Sequence, residues 1–504
     1  MLGLQKLYTG FADKKFFFFF ALLYLVIFFA FFPPIWSSID EHGYVKRALL
    51  LTQGEIGVSE PEYACRASYF NGEEYVSNRF IGKSVFLVPF IPLGISGVMV
   101  SGLIIHLINF FIFFIILKRL GIRKEFSLLY LLFPIFTWIA RTVYPGFLVL
   151  TFFLASVYFY LSDKKISWAI SGLMAGLAIL VRYDVILAIA AFVAGAFFSN
   201  RKKLPYFMAP LLVIGLFVGL LNILFYGSPF SVGSHTAFGL LSSILSLDPI
   251  DILVFAAVFI FLYPLLLLSP LLEKRTGMRN EFIGLSIAYL IFNATFTRFF
   301  AFDLSLDTLF ITRHRYLIPM LGVLLIPYSS FLDSLVDRFS VLKKNFRLIV
   351  YSLVIVALAG TIFISGIHQD FLVNYRQGVL DEVYSNTETG SLIIGSSDDC
   401  IYFMKGLLPE RKYLSITPGS DLAGNPENIS IAEKLENFGE NSYLMILDYS
   451  YLSDRTARRR DTILNERQKI IDFYEKNESS FDFVFEDKQK GLAIYRYNSG
   501  ELSD

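Results

Sequence analysis

The sequence predicts a polytopic α-helical membrane protein that ends in a small α/β domain, and three observations carry that expectation. Of 504 residues 55% are hydrophobic and only 17% charged, against roughly 25% charged in soluble chains. The apolar residues gather in runs near the ~20 residues that cross a bilayer core as helix. The basic residues, in a chain of net charge +1, form short clusters between those runs, which reports topology and gives no basis for nucleic-acid binding.

On that ruler about eleven transmembrane helices are expected. The first, Phe16 to Trp36, follows Lys14-Lys15, exceeds a signal-peptide core and is followed by no small-residue cleavage site, so it is expected to be a retained signal-anchor. The others fall near 97–117, 126–141, 146–161, 166–181, 184–198, 205–226, 250–271, 282–300, 316–332 and 347–367. With the N-terminus cytoplasmic, the inside loops hold Lys118, Arg119, Arg123 and Lys124; Lys164 and Lys165; Arg201 to Lys203; Lys274, Arg275 and Arg279; and Arg338, Lys343, Lys344 and Arg347. Each is basic, as the positive-inside rule requires. The loops 37–96, 227–249 and 301–315 and the C-terminus then lie outside, in a multi-pass protein of the cell membrane.

Two domains are expected, a transmembrane one over 1–367 with its first outer loop at 37–96, and an extracytoplasmic α/β one over 368–504, where charge becomes frequent. Within the second, Ser391 to Gly395 and Tyr443 to Leu447 have the composition of buried strands. Phe481 to Glu486 and Leu492 to Tyr497 flank a Lys-Gln-Lys-Gly turn as a hairpin. Asp454 to Lys476 carries helical spacing at Ile463, Leu464, Ile470, Ile471 and Tyr474, with Ser453 as N-cap.

No fixed-period repeat, P-loop, dinucleotide fingerprint or zinc spacing occurs. Cys65 and Cys400 both fall outside, so a disulfide between them is open, subject to the ~7 Å approach of Cα atoms that a bridge needs.

The outer loops hold the chemistry-bearing residues. Asp40-Glu41 stands just beyond the first apolar run, in Ser37-Ser-Ile-Asp-Glu-His-Gly-Tyr44; on an extended backbone the two side chains diverge and only one faces a site. Asn78-Arg79-Phe-Ile-Gly-Lys83 leads into an apolar segment punctuated by Pro89 and Pro92, expected to be re-entrant or interfacial and to line a cavity. Arg182-Tyr-Asp184 belongs at the interface, since a charge at mid-bilayer costs roughly 3 kcal/mol on insertion scales. Tyr226-Gly-Ser-Pro-Phe230 opens a polar loop with His235, and Arg313-His-Arg-Tyr316 precedes the tenth span. Cations therefore surround the carboxylates on one side of the membrane.

Asp40-Glu-His-Gly-Tyr44 resembles the Asp-Glu-x-x-Tyr of the first outer loop of GT-C glycosyltransferases, the superfamily of protein O-mannosyltransferases and lipid A aminoarabinose transferases. Gly82-Lys83 with Pro89, the Arg182 element, Tyr226-Gly-Ser-Pro-Phe230 and Arg315-Tyr-Leu-Ile-Pro319 follow in that superfamily's order. The Trp-Trp-Asp-Tyr-Gly motif of oligosaccharyltransferase catalytic subunits is absent. The resemblance implies a GT-C-like fold and transfer of a sugar from a polyprenyl-phosphate donor to an acceptor protein, glycan or lipid on the outer face, with inversion.

A hydroxyl acceptor needs a general base, for which the resemblance offers Asp40; Glu41 would hold the acceptor, bind a metal or tune Asp40. Lys83, Arg182, Arg313 and Arg315 are the expected clamp on the departing phosphate, and Tyr44, Arg79, Tyr226 and His235 the expected substrate pocket. No cofactor is implied. A divalent metal stays open but without support, because two carboxylates fall short of the six or more oxygens a hard cation takes. Membrane lipids are the remaining expected partners. Two other readings stay alive: a transporter or flippase of lipid-linked glycans, against which stand the lack of repeated halves and the clustering of charge at one face, and an inactive scaffold of a glycosylation complex.

Overall fold

The computed structural model describes residues 2–32, 34–36, 39–59, 68–232, 235–236, 265–273, 275–297, 314–396, 406–407, 410–415, 431–447, 457–498 and 502. Helix α1 (Leu2–Ala30) stops just before Pro33-Pro34, and α2 (Ile39–Gln53) follows. A small antiparallel sheet of β1 (Gly57–Val58), β2 (Ser68–Phe70) and β3 (Tyr75–Ser77), with β3 central, leads into α3 (Ile81–Leu87), a 3-10 turn over Val88–Leu93 and α4 (Gly94–Arg119). The chain continues through α5 (Leu128–Leu131), α6 (Pro134–Ile139), α7 (Gly146–Tyr160), α8 (Lys165–Val181), α9 (Ile186–Asn200) and α10 (Leu204–Tyr226). After the short pair β4 (Ser231–Val232) and β5 (His235–Thr236) come α11 (Ser269–Leu272), α12 (Arg279–Thr297), α13 (His314–Arg338), α14 (Ser340–Lys344), α15 (Phe346–Asp370) and α16 (Gly378–Asn386).

The protein is mostly helical. Among the described residues five helical segments are long and apolar enough to cross a membrane: Ile81–Arg119, Tyr183–Asn200, Leu204–Tyr226, Leu317–Arg338 and Leu348–Asn386. Phe18–Ala30, Gly146–Tyr160 and Lys165–Val181 are shorter apolar helices. Several expected spans take other forms. The run 126–141 is not one helix but a 3-10 turn (Lys124–Ser127) followed by α5 and α6. Pro134 lacks the N–H to continue the ladder and holds Phe133 extended (φ −68°, ψ 117°). Pro89 and Pro92 lie in the 3-10 segment Val88–Leu93 between α3 and α4, and the backbone leaves helical geometry at Gly94 (φ 69°, ψ −167°) where α4 begins. The helix expected to end at 367 runs on through a π-helical turn (Phe371–Gln377) into α16. Of the expected span 250–271, residues 250–264 lie outside the described residues.

Helices α8 and α10 approach closely through Gly172 and Gly176. A Cβ at Gly172 would stand 1.9 Å from the Phe207 carbonyl oxygen, and one at Gly176 2.7 Å from Ile214 Cβ. This is the small-xxx-small spacing by which helices pack when lipid supplies no hydrophobic drive. The basic connections gather at one end of the bundle. There Asp333 and Asp337 on α13 both pair with Arg123 and Arg275, Arg119 donates to the Tyr158 and Leu161 carbonyls at 3.0 Å, and Lys203 meets Asp163 at 2.7 Å.

The opposite end carries α2, the small sheet and a five-stranded mixed sheet built from β6 (Leu392–Gly395), β7 (Lys412–Ser415), β8 (Ser442–Leu447), β9 (Phe481–Asp487) and β10 (Leu492–Tyr497), in the order β7-β6-β8-β10-β9. Strand β6 is parallel to β7 and β8, and β10 antiparallel to β8 and β9. Because side chains alternate along a strand, Ile394 and Leu444 pack against Leu435 of α17 (Ile431–Phe438) and Ile470 of α18 (Ala457–Lys476). Ile393, Tyr443 and Met445 face the other way, into a core shared with Val379, Trp36, Tyr44, Val45 and Val143. The sheet is thereby seated on the end of the bundle that bears α2.

Candidate active site

Asp40 and Glu41 occupy the first turn of α2, where the positive end of the helix dipole favours carboxylates. The extended backbone expected here is replaced by helix, and the helical turn sends the two acids into different surroundings. Asp40 keeps a 24% exposed side chain and pairs with Arg79, Nη2 to Oδ1 at 2.6 Å. Glu41 is fully buried, and its Oε1 accepts the Val143 N–H at 2.7 Å.

The end of β3 sets the position of Arg79. Ser77 Oγ donates to the Gly43 carbonyl at 2.9 Å, tying the strand to α2, and accepts the Arg79 N–H at 3.3 Å. Tyr226, at the end of α10, donates its hydroxyl to the Ser77 carbonyl at 2.7 Å and accepts from Arg47 Nη1 at 3.2 Å; Arg47 also donates to the Arg79 carbonyl. Tyr226 is buried, so it braces the Arg79 backbone from behind. Arg47, two helical turns beyond Asp40, was not among the candidate site residues.

Tyr44 lies one turn on from Asp40, on the same face of α2. Burial pushes its phenol up in pKa, Arg79 and Arg182 pull it down, and Asp40 and Asp184 act against them. The ring thus sits in the field of two ion pairs, Asp40–Arg79 and Arg182–Asp184. Arg182 ends α8 on an extended residue (φ −158°, ψ 125°). It grips Asp184 with two donors, Nε to Oδ1 at 2.9 Å and Nη2 to Oδ2. Phe80 and Tyr183, next to Arg79 and Arg182 respectively, bring their rings within 5.0 Å.

Gly82 locks this juxtaposition, since a Cβ there would stand 2.7 Å from the Leu180 carbonyl oxygen in the last turn of α8. Lys83, the next residue, is fully buried, with Nζ lacking a hydrogen-bond partner among the described residues. The Glu41 charge acts on it, and the Phe86 ring lies 5.2 Å away. His42 is buried as well; burial first and the Lys46 charge second push it down to about 3, so it is neutral at physiological pH.

Asp40, Tyr44, Arg79 and Arg182 therefore come together, with Glu41 and Lys83 beneath them and Tyr226 behind. His235 pairs with Val232 across the β4–β5 ladder and Arg315 is the second residue of α13; the side chains of both, and all of Arg313, Cys65 and Cys400, lie outside the described residues. Among the described residues no group of three or more His, Cys, Asp or Glu is placed to hold a metal ion.

No protein-family model and no curated protein matches this chain. Among solved structures it is similar to a cryo-EM structure of a mutant of the arabinofuranosyltransferase AftD from Mycobacteria, with 11% sequence identity and a TM-score of 0.49. The match covers 97% of this chain and 42% of that one, so the chain spans under half of that protein's length.

Proposed function

We propose that the protein is a membrane glycosyltransferase of GT-C type, transferring a sugar from a polyprenyl phosphate to an acceptor hydroxyl at the outer face, with Asp40 as general base. The observation that carries this reading is the meeting of Asp40 with the guanidinium groups of Arg79 and Arg182 around Tyr44. A base and fixed cations close together are what glycosyl transfer from a phosphate requires. Asp40 takes the proton of the acceptor hydroxyl as its oxygen attacks the anomeric carbon. The bond from that carbon to the phosphate oxygen breaks on the far side, its electron pair leaves with the polyprenyl phosphate, and configuration inverts. Charge grows on the phosphate as the bond breaks, so cations held in place stabilise the transition state more than the ground state.

In this reading Arg182 faces the phosphate together with Arg313 and Arg315, Arg79 orients Asp40, and Tyr44 lines the sugar subsite. Glu41 is docked on the Val143 N–H, with Lys83 buried in reach of its charge. The end of the bundle bearing α2 faces outward, about eleven spans cross the cell membrane, and the C-terminal sheet lies outside over the site. The acceptor is a protein, glycan or lipid.

The test offers purified protein a panel of radiolabelled polyprenyl-phosphate hexoses and pentoses with a crude membrane acceptor. Label is expected to reach the acceptor with inverted configuration from at least one donor. Failure across the whole panel, by folded protein, would refute the proposal.

A further inference from the structure

Apart from the Asp40 cluster, the same end of the bundle holds a second group of buried basic side chains. Arg141, just beyond α6, is 3% exposed. Its partners among the described residues are all neutral: Ser365 Oγ, the Ile27 carbonyl at 3.5 Å, and the rings of Phe28 and Phe31 at 5.7 and 5.8 Å. Its Nε has no acceptor. A guanidinium held in low dielectric by neutral groups alone is a charge still to be matched.

His368 lies three residues beyond Ser365 on the same face of α15. It is 2% exposed, and neither ring nitrogen has a hydrogen-bond partner. Its ring packs at 4.4 Å on Trp138, three residues before Arg141, so Arg141 and His368 face each other across two helices. In either neutral tautomer the imidazole keeps an N–H with no acceptor. Arg376 closes the group. Its charge and that of Arg141 both act on His368, and its Nη1 donates to the Trp36 carbonyl at 3.3 Å. It is carried by the π-helical turn Phe371–Gln377, a rare conformation that concentrates at functional sites.

From this arrangement we infer that Arg141, His368 and Arg376 form a binding site for a phosphate-class anion. The planar fork of arginine matches phosphate oxygens, the imidazole N–H adds a neutral donor, and the anion supplies the charge that Arg141 lacks. The site shares no residue with the Asp40–Arg79 and Arg182–Asp184 pairs, and it stands whether or not the glycosyltransferase reading does.

The test is thermal unfolding of the full chain in phosphate-free detergent, with separate additions of inorganic phosphate and phosphatidylglycerol, and diacylglycerol as the phosphate-free control. At least one phosphate-bearing arm is expected to raise Tm by about 3 °C while the control does not. The responding arm identifies the source as a soluble anion or a lipid headgroup. Arg141→Met, which replaces a buried cation by an apolar chain, and His368→Phe, which keeps the stack on Trp138, should each abolish the rise. Asp40→Asn should retain it. Absence of a rise in every arm, or a rise that survives in both variants, overturns the inference.

Discussion

Arg79 Nη2 lies 2.6 Å from Asp40 Oδ1, bringing together two residues of the first connection that are 39 positions apart in the chain. The backbone of Arg79 is fixed independently by Ser77, Arg47 and Tyr226, so its guanidinium serves as a stop against which the Asp40 carboxylate is aimed. Arg79→Gln is expected to lower turnover about 100-fold, the scale set by misplacing a reacting group by roughly 1 Å. The pair is partly exposed and contributes about 0–1 kcal/mol to stability, so Tm should hardly change. Steady-state kinetics alongside a melting curve separate the two effects.

Glu41 and Lys83 are coupled in their burial. Glu41→Ala leaves the buried Val143 N–H without its acceptor and should cost roughly 1–3 kcal/mol, the range for a buried group left unsatisfied. Lys83→Met should cost less, since Glu41 keeps the Val143 N–H. The double variant Glu41→Gln with Lys83→Met keeps an acceptor for the Val143 N–H, so denaturation should show it more stable than Glu41→Ala. Additive losses would argue that the two charges do not interact.

Gly82 has backbone against it rather than a flexible side chain. Gly82→Val should force α3 away from the end of α8 at about 1–3 kcal/mol and separate Arg79 from Arg182. The measurements are thermal stability and transfer activity, with activity falling further than the stability loss explains.

His42 yields a pH dependence. Its folded pKa, about 3, lies below the ordinary 6.5, so between these values the unfolded chain binds a proton that the folded one excludes. Stability is complete above about pH 6.5 and falls as pH drops toward 3, by about 2 kcal/mol at pH 5. Melting curves from pH 7.5 to 5 should show this decline, and His42→Gln should flatten it.

Run length made several of the apolar helices readable in the sequence, among them α4, α9, α10, α13 and α15, because lipid demands unbroken apolar helix. The strands around Ile393, Tyr443 and Ile494 were readable for a similar reason, being short apolar runs between turn signals. The break before Pro134 was also written in the sequence, but the apolar run hid it. Helix α2 escaped because its buried positions, among them Glu41, His42, Tyr44, Val45, Arg47, Ala48 and Leu50, run round the helix and mix charged, polar and apolar groups, so they show no apolar stripe. The carboxylates and Arg182 stood out as charges beside apolar runs. The roles of Arg79 and Tyr226 depend on contacts closed across β3 and α10. Arg141 and His368 were passed over, since each is an isolated basic residue until Ser365 and Trp138 bring their helices together.

The general-base role of Asp40 is the central claim, and sugar transfer by Asp40→Asn tests it most directly, with unchanged expression and Tm as the controls. The rate should fall by about 10²–10⁴-fold with polyprenyl-phosphate sugar still bound. Transfer within about twofold of wild type by a folded Asp40→Asn protein would contradict the account, since an asparagine amide cannot take the proton of the acceptor hydroxyl.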